Sequence, residues 1–152
     1  MLSAVTRRPR LLIVEDGNEY LDRFNRFLGD DFDFVSSQDF ESAREGAAGA
    51  DGLLLDLDFR RTPPGRLVDE RGPVAAGLDP DKRRRLAETQ GILILRQLRT
   101  AGIALPAVLF ADIDDAERVL FLERTLAPLK VASSRLGIRE IAALLRASLA
   151  RR

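Results

Sequence analysis

Asp51-Gly-Leu-Leu-Leu-Asp-Leu-Asp58 is a short apolar run that ends on acids, the pattern of a strand buried on both faces of a parallel sheet. Its strand, Leu53 to Asp56, delivers Asp56 to a carboxyl strand end, where ligands of open α/β sheets bind. Arg10-Leu-Leu-Ile-Val-Glu15 has the same form and is followed at once by a second acid, Asp16.

Between these two runs the periodicity changes. Tyr20, Leu21, Phe24, Phe27 and Leu28 recur at three- and four-residue intervals, which predicts a helix from Asn18 to Leu28 stopped by Gly29. Asp31-Phe-Asp-Phe-Val-Ser36 alternates like a strand, and Asp39 to Ala48 reads as a helix ending at Gly49. After Phe59 the alternation breaks. Residues 60–90 hold Pro63, Pro64, Pro73 and Pro80 with three glycines, which predicts an irregular excursion in which only Asp81 to Gln90 forms a short helix. Ile92, Leu93, Leu95 and Leu98 then mark a helix ending near Gly102, followed by the strand Leu105 to Phe110. A helix over Asp114 to Glu123, a weak strand over Leu126 to Val131 and a final helix carrying Ile138, Ile141, Leu144, Leu145 and Leu149 complete the chain. Five strands alternating with helices predict a flavodoxin-like, doubly wound five-stranded parallel sheet in the order 2-1-3-4-5, flanked by helices.

Composition bounds the chemistry. With 152 residues, 45% hydrophobic and 32% charged, the chain is expected to form a single globular domain over 1–152. No apolar run approaches the roughly 18 residues of a membrane span, and the opening residues lack a secretory signal, so a cytoplasmic location with no membrane partner is expected. The absence of cysteine and histidine excludes disulfides, thiolate or imidazole metal sites and any triad built on those residues. Formal net charge is zero, so nucleic acid is not expected as a partner. Of the 24 basic residues only Lys82 and Lys130 are lysines, which draws attention to where each one falls.

In the predicted strand order the first and third strands are neighbours, and Glu15, Asp16 and Asp56 converge at one edge. Crowded carboxylates are costly unless a cation neutralises them, and an all-oxygen site suits Mg²⁺. Such a metal also screens an incoming phosphoryl group while a carboxylate attacks it.

These residues resemble the receiver domain of bacterial two-component response regulators. The resemblance rests on Leu11-Leu-Ile-Val-Glu-Asp16, the strand ending at Asp56, Gly91 opening Ile92-Leu-Ile-Leu-Arg-Gln-Leu-Arg99, Pro106-Ala-Val-Leu-Phe110, and Lys130 before the last helix. It implies that Asp56 is the phosphoacceptor in a phosphorelay. It further implies that Glu15, Asp16, Asp56 and the backbone carbonyl of Asp58 bind Mg²⁺, and that Lys130 pairs with the phosphoryl oxygens. The implied partners are a sensor kinase or phosphotransfer protein and a downstream protein. Contacts, including a homodimer, are expected through about 114–149, and the chain is expected to act as a stand-alone signalling domain rather than an enzyme.

Two departures qualify the resemblance. Where the family places a hydroxyl residue at the end of its fourth strand, alignment from Pro106 puts Ala111, and its switch aromatic falls at or near Ala127, with Val131 where a proline is usual. A methyl group cannot reproduce a hydroxyl's hydrogen bond, so the usual relay is missing. The second departure is the excursion at 60–90. It is expected to be a solvated loop directly over the site, able to shield it, supply an arginine to it or contact a partner. Two other readings follow: a phosphorylation-independent pseudo-receiver that serves only for interaction, and a haloacid-dehalogenase-like phosphatase. The second uses Asp56 and Asp58 as nucleophile and general acid, with Ala111-Asp-Ile-Asp-Asp115 as its late acidic pair.

Overall fold

The computed structural model of the chain describes residues 7–74 and 77–150; the start of the basic arm and two residues of the 60–90 segment lie outside the described residues. The main elements follow the predicted order: β1 (Arg10–Val14), α1 (Glu19–Leu28), β2 (Asp33–Ser37), α2 (Phe40–Ala47) and β3 (Gly52–Asp56). The 60–90 segment contributes β4 (Val68–Asp69), β5 (Gly72–Pro73) and α3 (Pro80–Glu88). It is followed by α4 (Gln90–Thr100), β6 (Ala107–Phe110), α5 (Ala116–Thr125), β7 (Leu129–Ala132) and α6 (Ile138–Ala150). The sheet is parallel in the order β2-β1-β3-β6-β7, which is the flavodoxin-like 2-1-3-4-5 order of the main strands.

Continuous apolar strands here mean two cores. Leu12, Val14, Leu53, Leu55 and Leu109 face α2, α4 and α5 through Ala43, Leu95, Leu98 and Leu122. Leu11, Ile13, Leu54, Val108 and Phe110 face α1 and α6 through Phe24, Leu28, Ile141 and Leu145. Alternate residues of each strand thus serve opposite faces, which is why these strands carry no polar alternation.

Several boundaries differ from the expectation by one or two residues, among them α3 at Pro80–Glu88 rather than Asp81 to Gln90 and β6 at Ala107–Phe110 rather than Leu105 to Phe110, and the last strand differs most. The last strand is Leu129–Ala132 rather than Leu126 to Val131, because Leu126 still belongs to the end of α5 and donates its N–H to the Leu122 carbonyl at 2.9 Å. Ala107 then receives its register from Pro128 (N···O 3.0 Å). This slip moves the end of the strand relative to Lys130.

The 60–90 segment is not a solvated loop. Val68 and Asp69 pair with Gly72 and Pro73 as a short antiparallel hairpin, and Phe59, Leu67 and Val68 are buried. Its anchor is Gln90, itself fully buried. The Val68 N–H donates to Gln90 Oε1 (2.8 Å), while Gln90 Nε2 donates to the carbonyls of Val68 (3.0 Å) and Leu86 (3.1 Å). One amide side chain therefore satisfies both backbone groups of Val68, as a neighbouring strand would. Gln97 Nε2 adds bonds to the carbonyls of Asp69 and Glu70 at 3.1 and 2.9 Å.

Gly91 sets how closely α4 meets the end of β3. Its N–H donates to the Leu57 carbonyl (3.0 Å), and a Cβ at this position would overlap the Asp56 carbonyl oxygen. Only a residue without a side chain allows this approach.

Two substitutions test these anchors. Gly91→Ala is expected to lower stability by about 2–3 kcal/mol through overpacking against β3, read as a lower urea midpoint with an unchanged slope. Gln90→Leu, which leaves both Val68 backbone groups buried without partners, is expected to cost about 1–3 kcal/mol. It should also speed limited proteolysis within residues 60–80 while sparing the central sheet.

Candidate functional site

The parallel register of β1 and β3, with Val14 opposite Leu55, brings Glu15 level with Asp56 at the carboxyl edge of the sheet. Asp16 and Asp58 follow on the loops just beyond. The structure therefore gathers the four expected acidic positions at one end, and each carboxylate is already engaged there.

Glu15 is buried, with 1% of its surface exposed. Its two oxygens accept the N–H groups of Tyr20 (3.2 Å) and Leu21 (3.0 Å), so it caps the first turn of α1, where Asn18 makes no side-chain cap bond. Asp56 Oδ1 accepts the N–H of Leu57 at 2.9 Å. Asp58 accepts the N–H of Arg60 (3.0 Å) and its Nε (2.6 Å). Asp16 is held by Arg61 of the inserted segment. One of its oxygens accepts the Arg61 backbone N–H and the other the guanidinium, both at 2.9 Å. The same guanidinium pairs with Glu19 at 2.7 Å. Arg61 is one of several arginines in the insertion, and its placement three residues beyond Asp58 is the sequence signal that sets it apart.

Crowding shows in the acid strengths. Burial pushes the Glu15 carboxyl up to about 7, against the two backbone N–H bonds that lower it. Burial also pushes Asp56 up to about 6, with the charges of Asp16, Asp58 and Glu19 acting in the same direction. Glu19 moves the other way, down to about 2, because Arg61 hydrogen-bonds its charged form.

The expected Mg²⁺ set does not fit this arrangement. A hard cation needs unoccupied carboxylate oxygens directed at one point. Both oxygens of Glu15 face α1, and both oxygens of Asp16 face Arg61. Among the described residues no group of three acids is disposed to hold a metal.

Lys130 is not brought to this edge either. It lies inside β7 opposite Val108, whereas the residues in line with Asp56 are Phe110 and Ala132. That places it two residues, roughly 7 Å, below the level of Asp56. Its side chain is 56% exposed and pairs with Glu123 on α5 at 3.8 Å. It lines a groove with Pro106, Ala107 and Pro128 at the amino end of the sheet. The residue that leaves the carboxyl end of β7 beside Ala111 is Ser133. The expected relay positions shift with it. Ala127 sits at the opposite end, and Val131 lies within β7.

Around Ala111 the polar groups close on Asp112. Its carboxylate accepts Ser133 Oγ (2.8 Å), Ser134 Oγ (2.5 Å) and the Ser134 N–H (3.1 Å), and these bonds, those of Ser134 first, hold it below the usual carboxylate range. A cavity of about 340 Å³ lies beside this knot, lined by Ala111, Val119, Val131, Ser133 and Arg135.

No family model matches the sequence, and no curated protein is significantly similar to it. Solved structures do match. The signal receiver domain of a LuxO repressor protein from Vibrio parahaemolyticus aligns with a TM-score of 0.65 at 14% identity, over 95% of this chain and 92% of that one. A Francisella response-regulator receiver domain gives 0.64 at 16% identity, over 95% and 98%. The BeF3-activated receiver domain of Klebsiella pneumoniae RstA gives 0.62 at 21% identity, over 92% and 97%. The chain has the fold of response-regulator receiver domains.

The raised Asp56 carboxyl links the site to stability. The folded state holds this proton above pH 3.8, where the unfolded chain releases it, so stability present below about pH 4 is lost as pH rises toward 6. Asp56→Asn removes that loss. It is expected to be more stable than the parent at pH 7.5, by on the order of 1–2 kcal/mol, and equal to it near pH 3.5, as read from urea unfolding at both pH values.

Proposed function

We propose that this chain is a receiver-type signalling module of a phosphorelay setting that works through protein contacts, without an aspartyl-phosphate switch at Asp56. The observation that carries this reading is Ser133 at the carboxyl end of β7, where the receiver resemblance implies a phosphoryl-binding lysine, with Lys130 instead paired to Glu123 farther down the strand. A phosphoryl group on Asp56 would add negative charge among Asp16, Glu19 and Asp58 with no cation from the last strand to receive it. Ala111 adds no hydroxyl, and the two serines nearby already donate to Asp112.

The reading places the output in binding. Leu120 and Phe121 of α5 are exposed at 65% and 47%, on the α5–β7–α6 side where contacts are expected through about 114–149. A kinase or phosphotransfer protein and a downstream protein are the partner classes that this fold serves, in the cytoplasm. The phosphatase alternative is less well supported, because the carboxylate that would be its general acid, Asp58, is held by Arg60.

A second reading keeps Asp56 as phosphoacceptor with Mg²⁺. It is favoured by Asp56 Oδ2, which accepts no hydrogen bond among the described residues. Incubation with Mg²⁺ and a small acyl phosphate, followed by intact mass measurement, separates the two. The expected result is an unmodified chain and no turnover of the acyl phosphate. A single phosphoryl adduct that disappears in Asp56→Asn would establish the second reading, and sustained turnover would establish the phosphatase.

A further inference from the structure

Arg61 has a role that the receiver-like reading alone does not supply. Five carboxylates crowd the edge beyond β1 and β3: Glu15, Asp16, Glu19, Asp56 and Asp58. Two arginines of the inserted segment meet them. Arg60 turns to Asp58, its near neighbour in sequence. Arg61 reaches across to Asp16, 45 positions away, and to Glu19.

We propose that Arg61 is the resident cation of this acidic edge, doing from within the chain the charge neutralisation a divalent ion would do, and thereby keeping divalent ions out. The Asp16 end of this contact is built into the fold, while the Arg61 and Glu19 side chains are 57% and 64% exposed. Asp16 is only 6% exposed on its side chain, and both its oxygens are filled, one by the Arg61 N–H and one by the guanidinium. The other guanidinium nitrogen meets Glu19 at 2.7 Å, so the planar fork spans two carboxylates. Gly17 lies directly beneath the ends of the Arg61 and Glu19 side chains, which a Cβ there would displace.

The backbone presenting Arg61 is fixed on both sides. Phe59 is fully buried and its N–H donates to the Ala87 carbonyl at 2.8 Å. Thr62 is buried and its N–H donates to the Phe59 carbonyl at 3.1 Å. The arginine is therefore held by the same inserted segment that Gln90 pins to α4, and docking of the segment and neutralisation of the edge form one unit. A guanidinium cannot be deprotonated under ordinary conditions, and its two acidic partners push it further toward the charged form, Glu19 first. The charge that Arg61 carries is permanent, and its covalent attachment keeps it from exchanging as a metal ion would.

This inference deepens the reading of a site without a phosphoryl switch, and Mn²⁺ serves as the probe. Mn²⁺ uptake, followed by water-proton relaxation, is measured on the full chain, on Arg61→Ala, on Arg61→Gln in case the alanine variant folds poorly, and on Arg146→Ala as a control for loss of a remote exposed cation. The chain itself is expected to take up no Mn²⁺ stoichiometrically to about 1 mM, whereas the Arg61 variants bind one ion at least ~10-fold more tightly and lose it again when Asp16→Asn is added. Equal uptake by the chain and its Arg61 variants, or none by a folded Arg61 variant, overturns the inference. The two readings fail separately. Stoichiometric Mn²⁺ on the chain without a phosphoryl adduct removes only the role of Arg61, whereas an adduct on a chain whose Mn²⁺ uptake still depends on Arg61 loss removes only the unswitched function.

Discussion

The constraint on which this molecule turns is electrostatic: two adjacent parallel strands end side by side, and each ends on acids. Parallel pairing leaves no choice about where those acids go, because the register that buries Leu11 to Val14 against Gly52 to Leu55 also sets Glu15 level with Asp56. Like charges so placed must be protonated, solvated or neutralised. The chain uses a different device for each. Glu15 turns inward to cap α1, Asp16 and Glu19 share Arg61, Asp58 takes Arg60, and Asp56 is left with a single backbone N–H and a raised pKa.

The inserted segment belongs to the same solution. A long excursion after β3 would ordinarily be solvated, since a short hairpin has few groups to bury. Here buried Gln90 acts as a third strand for Val68, and Gln97 holds the turn, so the segment docks on α4 and presents Arg61 at a defined place. Its order comes from two amide side chains on the helix beneath it more than from its own sequence.

Much of the fold was legible because its signals are local or periodic. The apolar strands, the helical stripes and the stop at Gly29 all reappear where the sequence places them, and the predicted sheet order is the observed one. The helix inside the insertion, expected over Asp81 to Gln90, is present as Pro80–Glu88, with Asp79 accepting the Lys82 N–H and Gln90 opening the next helix. The position of Lys130 was misleading. Its rarity and its place before the last helix suggested a strand end, but β7 has no strong alternation to mark its boundary. The strand ends at Ala132, one residue later than expected, so the lysine lies two positions inside it and Ser133 follows its end.

The sequence by itself determined the alternation of strands and helices, the two-faced burial of the central strands and the delivery of Glu15, Asp16 and Asp56 to one edge. These follow from residue type and spacing along the chain, which strand pairing converts directly into position. Only the tertiary structure decided which cation meets those acids. Lys130 and Arg61 carry the same charge in the sequence. One faces Glu123 near the far end of the sheet and the other faces Asp16, because a salt bridge depends on through-space distances set by the docking of whole segments.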